Sequence, residues 1–177
     1  MTYTQHYDSP LGGILLAADD VGLTGLWFDG QKYFARGLFN ERIEQETSVL
    51  AEAKRWLDIY FTGKAPDFTP PLHPIGSAFR RSVWEILLQI PYGQTTTYGE
   101  IARQLAKKQG LERMSAQAVG GAVGHNEISI IIPCHRVVGA DGSLTGYAGG
   151  IGKKEKLLEL ERADMSRFFV PKNGNAL

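Results

Sequence analysis

Residues 3–6, 13–17 and 23–28 are short segments suited to strands, and the turn formers Asp19, Asp20 and Gly22 separate the last two. The repeat then lengthens. Val49, Leu50, Ala53, Trp56, Leu57 and Tyr60 fall on one face of a 3.6-residue period, which predicts a helix, and Gly63 offers a stop. Residues 66–76 hold Pro70, Pro71, Pro74 and Gly76 and read as a linker.

Helical periods dominate after the linker. Ser77 is a candidate N-cap for a helix with Phe79, Val83, Ile86, Leu87 and Ile90 on its apolar face, ended by Pro91. Thr97 and Glu100 form a T-x-x-E capping box ahead of Tyr98, Ile101, Ala102, Leu105 and Ala106, with Gly110 at the far end. A third, short helix is expected over residues 115–124. Its Ala116, Ala118, Gly120, Gly121, Ala122 and Gly124 are unusually small, and each interior glycine costs about 1 kcal/mol relative to alanine. Such a helix fits either tight packing or the close approach of something large. The second and third helices suit a helix-turn-helix. Residues 128–132 are apolar and β-branched and predict a buried strand, broken by Pro133. Val137 and Val138 begin another extended stretch. Asp141-Gly142 marks a turn, residues 146–150 a glycine-rich loop, and residues 153–161 a last helix.

Composition narrows the class. The 177 residues are 43% hydrophobic and 21% charged, as in globular proteins. No apolar run approaches the ~18 residues of a membrane helix. The first residues carry no secretory signal pattern, so a cytoplasmic location is expected. The net charge of zero conceals an asymmetry: residues 1–76 hold 6 basic and 10 acidic side chains, residues 77–177 hold 13 and 9. The excess of +4 in the second half favours an acidic partner there.

The single cysteine, Cys134, rules out an internal disulfide and multi-cysteine zinc sites, and the four histidines show no metal-ligand spacing. A lone cysteine is usually core filler. A thiol near its ordinary pKa of about 8.5 is mostly protonated at neutral pH and needs a base to become a nucleophile. His135 is adjacent, but neighbours in an extended chain point to opposite sides. A turn after Pro133, or a bridging water, is therefore required. A carboxylate should orient the imidazole, and composition alone selects none.

Ile132-Pro133-Cys134-His135-Arg136-Val137-Val138 resembles the active-site signature of the O6-alkylguanine-DNA alkyltransferases. Ala118-Val119-Gly120-Gly121-Ala122, Asn126, Gly146-Tyr147-Ala148-Gly149-Gly150, Lys154 and Glu161 keep that family's order and spacing. The resemblance is dense over residues 77–165 and loose before them. With the periodicities it implies an α+β protein of two small domains. Residues 1–76 would form an α/β domain with a small antiparallel sheet. Residues 77–177 would be mainly helical, with a helix-turn-helix and a short sheet at the active site.

The resemblance also implies a repair reaction. A helix-turn-helix would bind the minor groove of double-stranded DNA and flip an O6-alkylguanine out of the stack. Cys134 would take the alkyl group irreversibly, with His135 as base through water and Glu161 orienting it. Asn126 would support the site. Tyr147 and the Ala148 N–H would stabilise the guanine O6. The carbonyls of Cys134 and Val137 would read the exocyclic amine, Tyr98 would crowd the target phosphate, and Lys154 would line the substrate site. Ala116, Gln117, Ala118, Gly120, Gly121 and Arg136 would face DNA. No cofactor, metal or protein partner is implied, and the protein would act as a monomer.

Two positions depart from the pattern. Gln117 stands where the family commonly has an intercalating arginine, and Ala148 where many relatives have serine. Three rival readings exist: a cysteine hydrolase, a non-catalytic lesion binder and a redox-sensing DNA-binding protein. The papain-type signature is missing, and lesion binders of this fold lack the cysteine. Alkyl transfer from a lesion to Cys134 separates all three.

Overall fold

The computed structural model describes residues 1–35, 38 and 41–171. Its first unit comprises Met1–Ile75 with Glu127–Ile131, and its second Gly76–Asn126 with Ile132–Leu177.

In the first unit, strands β1 (Thr2–Ser9), β2 (Gly12–Ala18) and β3 (Leu23–Phe28) pair antiparallel in sequence order. A short strand β4 (Arg42–Glu44) adds to β1 in parallel, so the sheet order is β3-β2-β1-β4. All three residues of that strand are exposed, and it gives no apolar alternation by which the sequence could announce it. Successive side chains of a strand face opposite sides of the sheet, and β2 is buried on both. Leu15 and Ala17 pack with Trp27 in one cluster, and Ile14 and Leu16 are also fully buried. Helix α1 (Ser48–Tyr60) contacts β1, β2 and β3. It is capped by Thr47 and buries Leu50, Ala53, Trp56, Leu57 and Tyr60, all of the predicted stripe except Val49, which is only half-buried.

The expected strand over residues 128–132 does not form. Glu127 and Ser129 exchange backbone hydrogen bonds with Leu26 (2.8 and 3.1 Å), making a single bridge at Ile128. The chain then turns within three residues: the Ile131 N–H donates to the Ser129 carbonyl (2.8 Å) around Ile130, at φ 69°. This is a γ-turn in the region that β-branched residues avoid. Ile128 and Ile130 are fully buried in this irregular path. An apolar β-branched run reports burial, and here the burial comes without a ladder.

The second unit packs α2 (Ala78–Leu87), α3 (Tyr98–Gln109) and α4 (Ala116–Gly124) against one another. Ser77, Thr97 and Ser115 each accept an N–H of the first turn. Only half of the Thr97–Glu100 capping box is made, because the Glu100 carboxylate instead accepts from Arg103 and Gln104. Trp84, absent from the predicted face of α2, is buried and donates its indole N–H to the Ala122 carbonyl of α4 (2.9 Å). Strands β5 (Thr96–Thr97) and β6 (Val137–Val138) pair in parallel. They bring the start of α3 beside the turn that carries Cys134. Helix α5 (Ile151–Leu160) closes the unit with Leu157 and Leu158 buried. Among the described residues no helix is long and apolar enough to cross a membrane.

Candidate active site

Pro133 sets the geometry of the site. The Cys134 N–H donates to the Ile132 carbonyl (2.8 Å) around Pro133 at φ −83° and ψ 66°, an inverse γ-turn. Cys134–Arg136 then form one turn of 3-10 helix, and the Val137 N–H closes it on the Cys134 carbonyl. The turn demanded by the adjacency of Cys134 and His135 is therefore present, and the chain straightens into β6 directly after it.

His135 is fully buried. Its Nε2 lies 2.6 Å from Glu161 Oε2, which selects the orienting carboxylate. Its Nδ1 is buried with no hydrogen-bond partner among the described residues. A proton on Nε2, shared with Glu161, leaves the Nδ1 lone pair available. Burial pushes the imidazole below its ordinary pKa against the pull of Glu161, and the charges of Arg136 and Lys154 act in the same downward direction.

Glu161 follows the last residue of α5, where the helix dipole disfavours negative charge. Burial too would raise its pKa, yet hydrogen bonds and charge from His135 and Arg136 hold the carboxyl well below the usual range. The Gly93 N–H adds a further donor at 3.0 Å.

Cys134 is buried, and burial raises its thiol pKa. A hydrogen bond from the Asn126 side chain and the positive charge of Lys154 oppose that rise. Asn126 Nδ2 also donates to the Ile132 carbonyl (2.8 Å), tying the end of α4 to the turn before the cysteine. Lys154 is itself fully buried. Desolvation lowers its pKa to about 8 against the pull of Cys134, and its Nζ donates to the Thr145 carbonyl (2.7 Å). The Tyr98 hydroxyl donates to the same carbonyl (3.3 Å), and burial together with the Cys134 charge pushes its pKa up to about 12. Thr145 thus organises two site residues through its backbone, a role no side-chain motif could reveal. Tyr147 is buried with its ring edge-on to His135, centroids 6.4 Å apart. Gly146 precedes it at φ 74°, where an added Cβ would lie 3.1 Å from the Tyr98 hydroxyl, so any other residue there would strain the backbone and press on that hydroxyl. Ala148 is half-buried in that loop, and Val137 is fully buried at the start of β6.

The outer face of α4 is separate from this cluster. Ala116, Gln117, Ala118 and Gly121 are exposed and Gly120 is partly so. A Cβ added at Gly121 or Gly124 would meet nothing within 4 Å. The small residues of this helix are therefore not explained by internal packing at those two positions.

One expected residue is corrected. Arg136 does not face outward for DNA. It is buried, with Nε and Nη2 on the two oxygens of Glu161 (2.8 and 3.1 Å) and Nη1 on the Ile90 carbonyl (2.7 Å). A guanidinium is held inside only when its donors are met, and three of them are.

Residues 2–74 match the model described as 6-O-methylguanine DNA methyltransferase, ribonuclease-like domain. Residues 78–163 match 6-O-methylguanine DNA methyltransferase, DNA binding domain. The methylated-DNA–protein-cysteine methyltransferase of Methanosarcina acetivorans is 44% identical over 160 residues, covering 90% of this chain and 97% of its own. A crystal structure of Mycobacterium tuberculosis OGT in complex with DNA is 41% identical, with a TM-score of 0.78 over 94% of each chain. That of Mycobacterium tuberculosis O6-methylguanine methyltransferase is 41% identical, with a TM-score of 0.76 over 98% of this chain and 97% of the other. With both of its halves matched and these identities sustained along its length, the chain belongs to the 6-O-methylguanine DNA methyltransferase family.

Proposed function

We propose that this protein repairs DNA by moving a methyl or other alkyl group from guanine O6 to Cys134. The observation that carries the reading is the buried, unpartnered Nδ1 of His135, one residue from a buried thiol, with Nε2 engaged by Glu161. His135 Nδ1 takes the thiol proton through a bridging water. The sulfur attacks the alkyl carbon, the S–C bond forms, the C–O6 bond breaks, and its electron pair passes to the guanine. Tyr147 and the Ala148 N–H meet the charge arriving on O6, and the carbonyls of Cys134 and Val137 accept from the exocyclic amine. The guanine anion that leaves recovers the proton held by His135 through the same water, so the products are guanine and S-alkylcysteine and the imidazole is neutral again. A thioether has no easy hydrolytic return, so each molecule acts once.

The depth of Cys134 supports base flipping, since a stacked base cannot reach a buried thiol. The open, small-residue face of α4 supports close approach to the minor groove, with Gln117 entering where the base was. Tyr98 crowds the target phosphate. A monomer in the cytoplasm, needing no cofactor or protein partner, accompanies this reading.

Incubation with DNA containing O6-methylguanine tests it. One methyl is expected on the peptide carrying Cys134, none in Cys134→Ala, and no second round of repair. An unmodified chain beside an intact lesion overturns the reading. Gln117→Ala should slow repair of duplex DNA far more than of single-stranded DNA. Equal loss on both removes the flipping role of Gln117.

A further inference from the structure

Four donors surround the Glu161 carboxylate. Oε1 accepts from Arg136 Nε and the Gly93 N–H, and Oε2 from His135 Nε2 and Arg136 Nη2. A carboxylate offers about four acceptor positions, and these four donors from the described residues hold it against rotation. Two of the four donors belong to one guanidinium, whose remaining Nη1 is anchored on Ile90 and whose carbon lies 5.8 Å from the Tyr92 ring centre. Arg136 shares a 3-10 turn with Cys134 and His135, so acceptor, base and guanidinium are held by one piece of backbone.

Charge points the same way. A buried carboxylate facing only an imidazole favours the imidazolium, which would be useless as a base. Here Arg136 already balances Glu161, so a charged His135 would be an unmatched buried cation. The other groups facing the ring are Lys154, a second cation, Cys134, and the edge of Tyr147; Tyr92 lies beyond Arg136.

Resting on the alkyl-transfer reading, we propose that Arg136 is a positioning residue: its fork fixes the Glu161 carboxylate against His135, and its charge, added to the burial of the ring, helps keep the imidazole neutral and able to take the thiol proton. It touches neither DNA nor the alkyl group.

The test uses the full chain without DNA. The ring nitrogens of His135 are followed by NMR against pH in wild type, Arg136→Gln and Arg136→Lys, and alkyl-transfer rates are measured over the same range. In Arg136→Gln, His135 should titrate at higher pH than in wild type, and the acid limb of the rate profile should move with it. Arg136→Lys keeps the charge and loses the fork. It should hold the His135 titration near that of wild type, yet slow alkyl transfer at saturating DNA by about tenfold, a part of the roughly 10²–10⁴-fold that acid–base catalysis contributes as a whole, with DNA affinity unchanged. A folded Arg136→Gln with an unmoved His135 titration overturns the proposal. So does an Arg136→Lys protein with the wild-type rate, and that arm decides if Arg136→Gln does not fold. A wild-type chain that transfers no alkyl group would instead end the functional reading, leaving the titration arm intact.

Discussion

Burial alone would leave the Cys134 thiol protonated, and Asn126 and Lys154 are the two side chains that resist this. Lys154→Met keeps the volume and removes the charge. The pH dependence of Cys134 labelling by iodoacetamide should therefore move to higher pH in that variant, with the melting temperature little changed. The imidazole makes a different prediction. Its pKa is lower in the fold than the ordinary 6.5, so the unfolded chain binds its proton first. The stability His135 contributes is complete above about 6.5 and declines as pH falls toward its folded value. Glu161 has the same sign, its share beginning to fail below about 4.3, the ordinary carboxyl value. Thermal melts across pH should show the first decline in wild type and lose it in His135→Gln. Much of this was legible in the sequence. Cys134, His135, Glu161 and Asn126 lie in spaced motifs, and the structure brings them together. Arg136 was not legible, because an arginine beside a nucleophile reads equally well as a DNA contact. Only the position of Glu161 in space distinguishes the two.

Caps were the most readable feature of the elements. Ser77 and Thr97 sit where an oxygen side chain precedes an apolar period, and each makes the expected bond; Ser115, expected as the first residue of the third helix, caps it instead. Long-range pairing was not readable: β4 has no apolar signature, and the run at residues 128–132 carries the composition of a strand along a path of tight turns. Helix α4 is the element most dependent on its cap, since three of its nine residues are glycine. Ser115→Ala should cost about 1 kcal/mol, and that loss should fall mainly on α4. Hydrogen exchange is expected to quicken at Val119 and its neighbours before α2 or α3 responds, and DNA affinity should weaken in step. Uniform exchange across all three helices would show that α4 does not open by itself.

At the scale of the whole molecule, the proline-rich segment marks a change of composition but not the only passage between units. The chain leaves the second unit after Asn126, contributes residues 127–131 to the first, and returns at Ile132. Within the first unit, Glu127 receives the Trp27 indole N–H, and Leu26 bonds the backbone of Glu127 and Ser129. By sequence these residues belong with their neighbours in the second half, because connectivity is visible in a sequence and return visits are not. The consequence concerns recombination. Residues 1–75 and 127–131 form one structural unit and should therefore behave as a single unit of inheritance. A chimera that takes residues 1–75 from a relative and keeps its own 127–131 should yield less folded protein than one that takes both segments, as soluble yield and melting temperature would record. Equal yields would mean that the two segments can diverge independently. If they cannot, crossovers at the linker should be rare among surviving hybrids, although the linker is where the composition changes most.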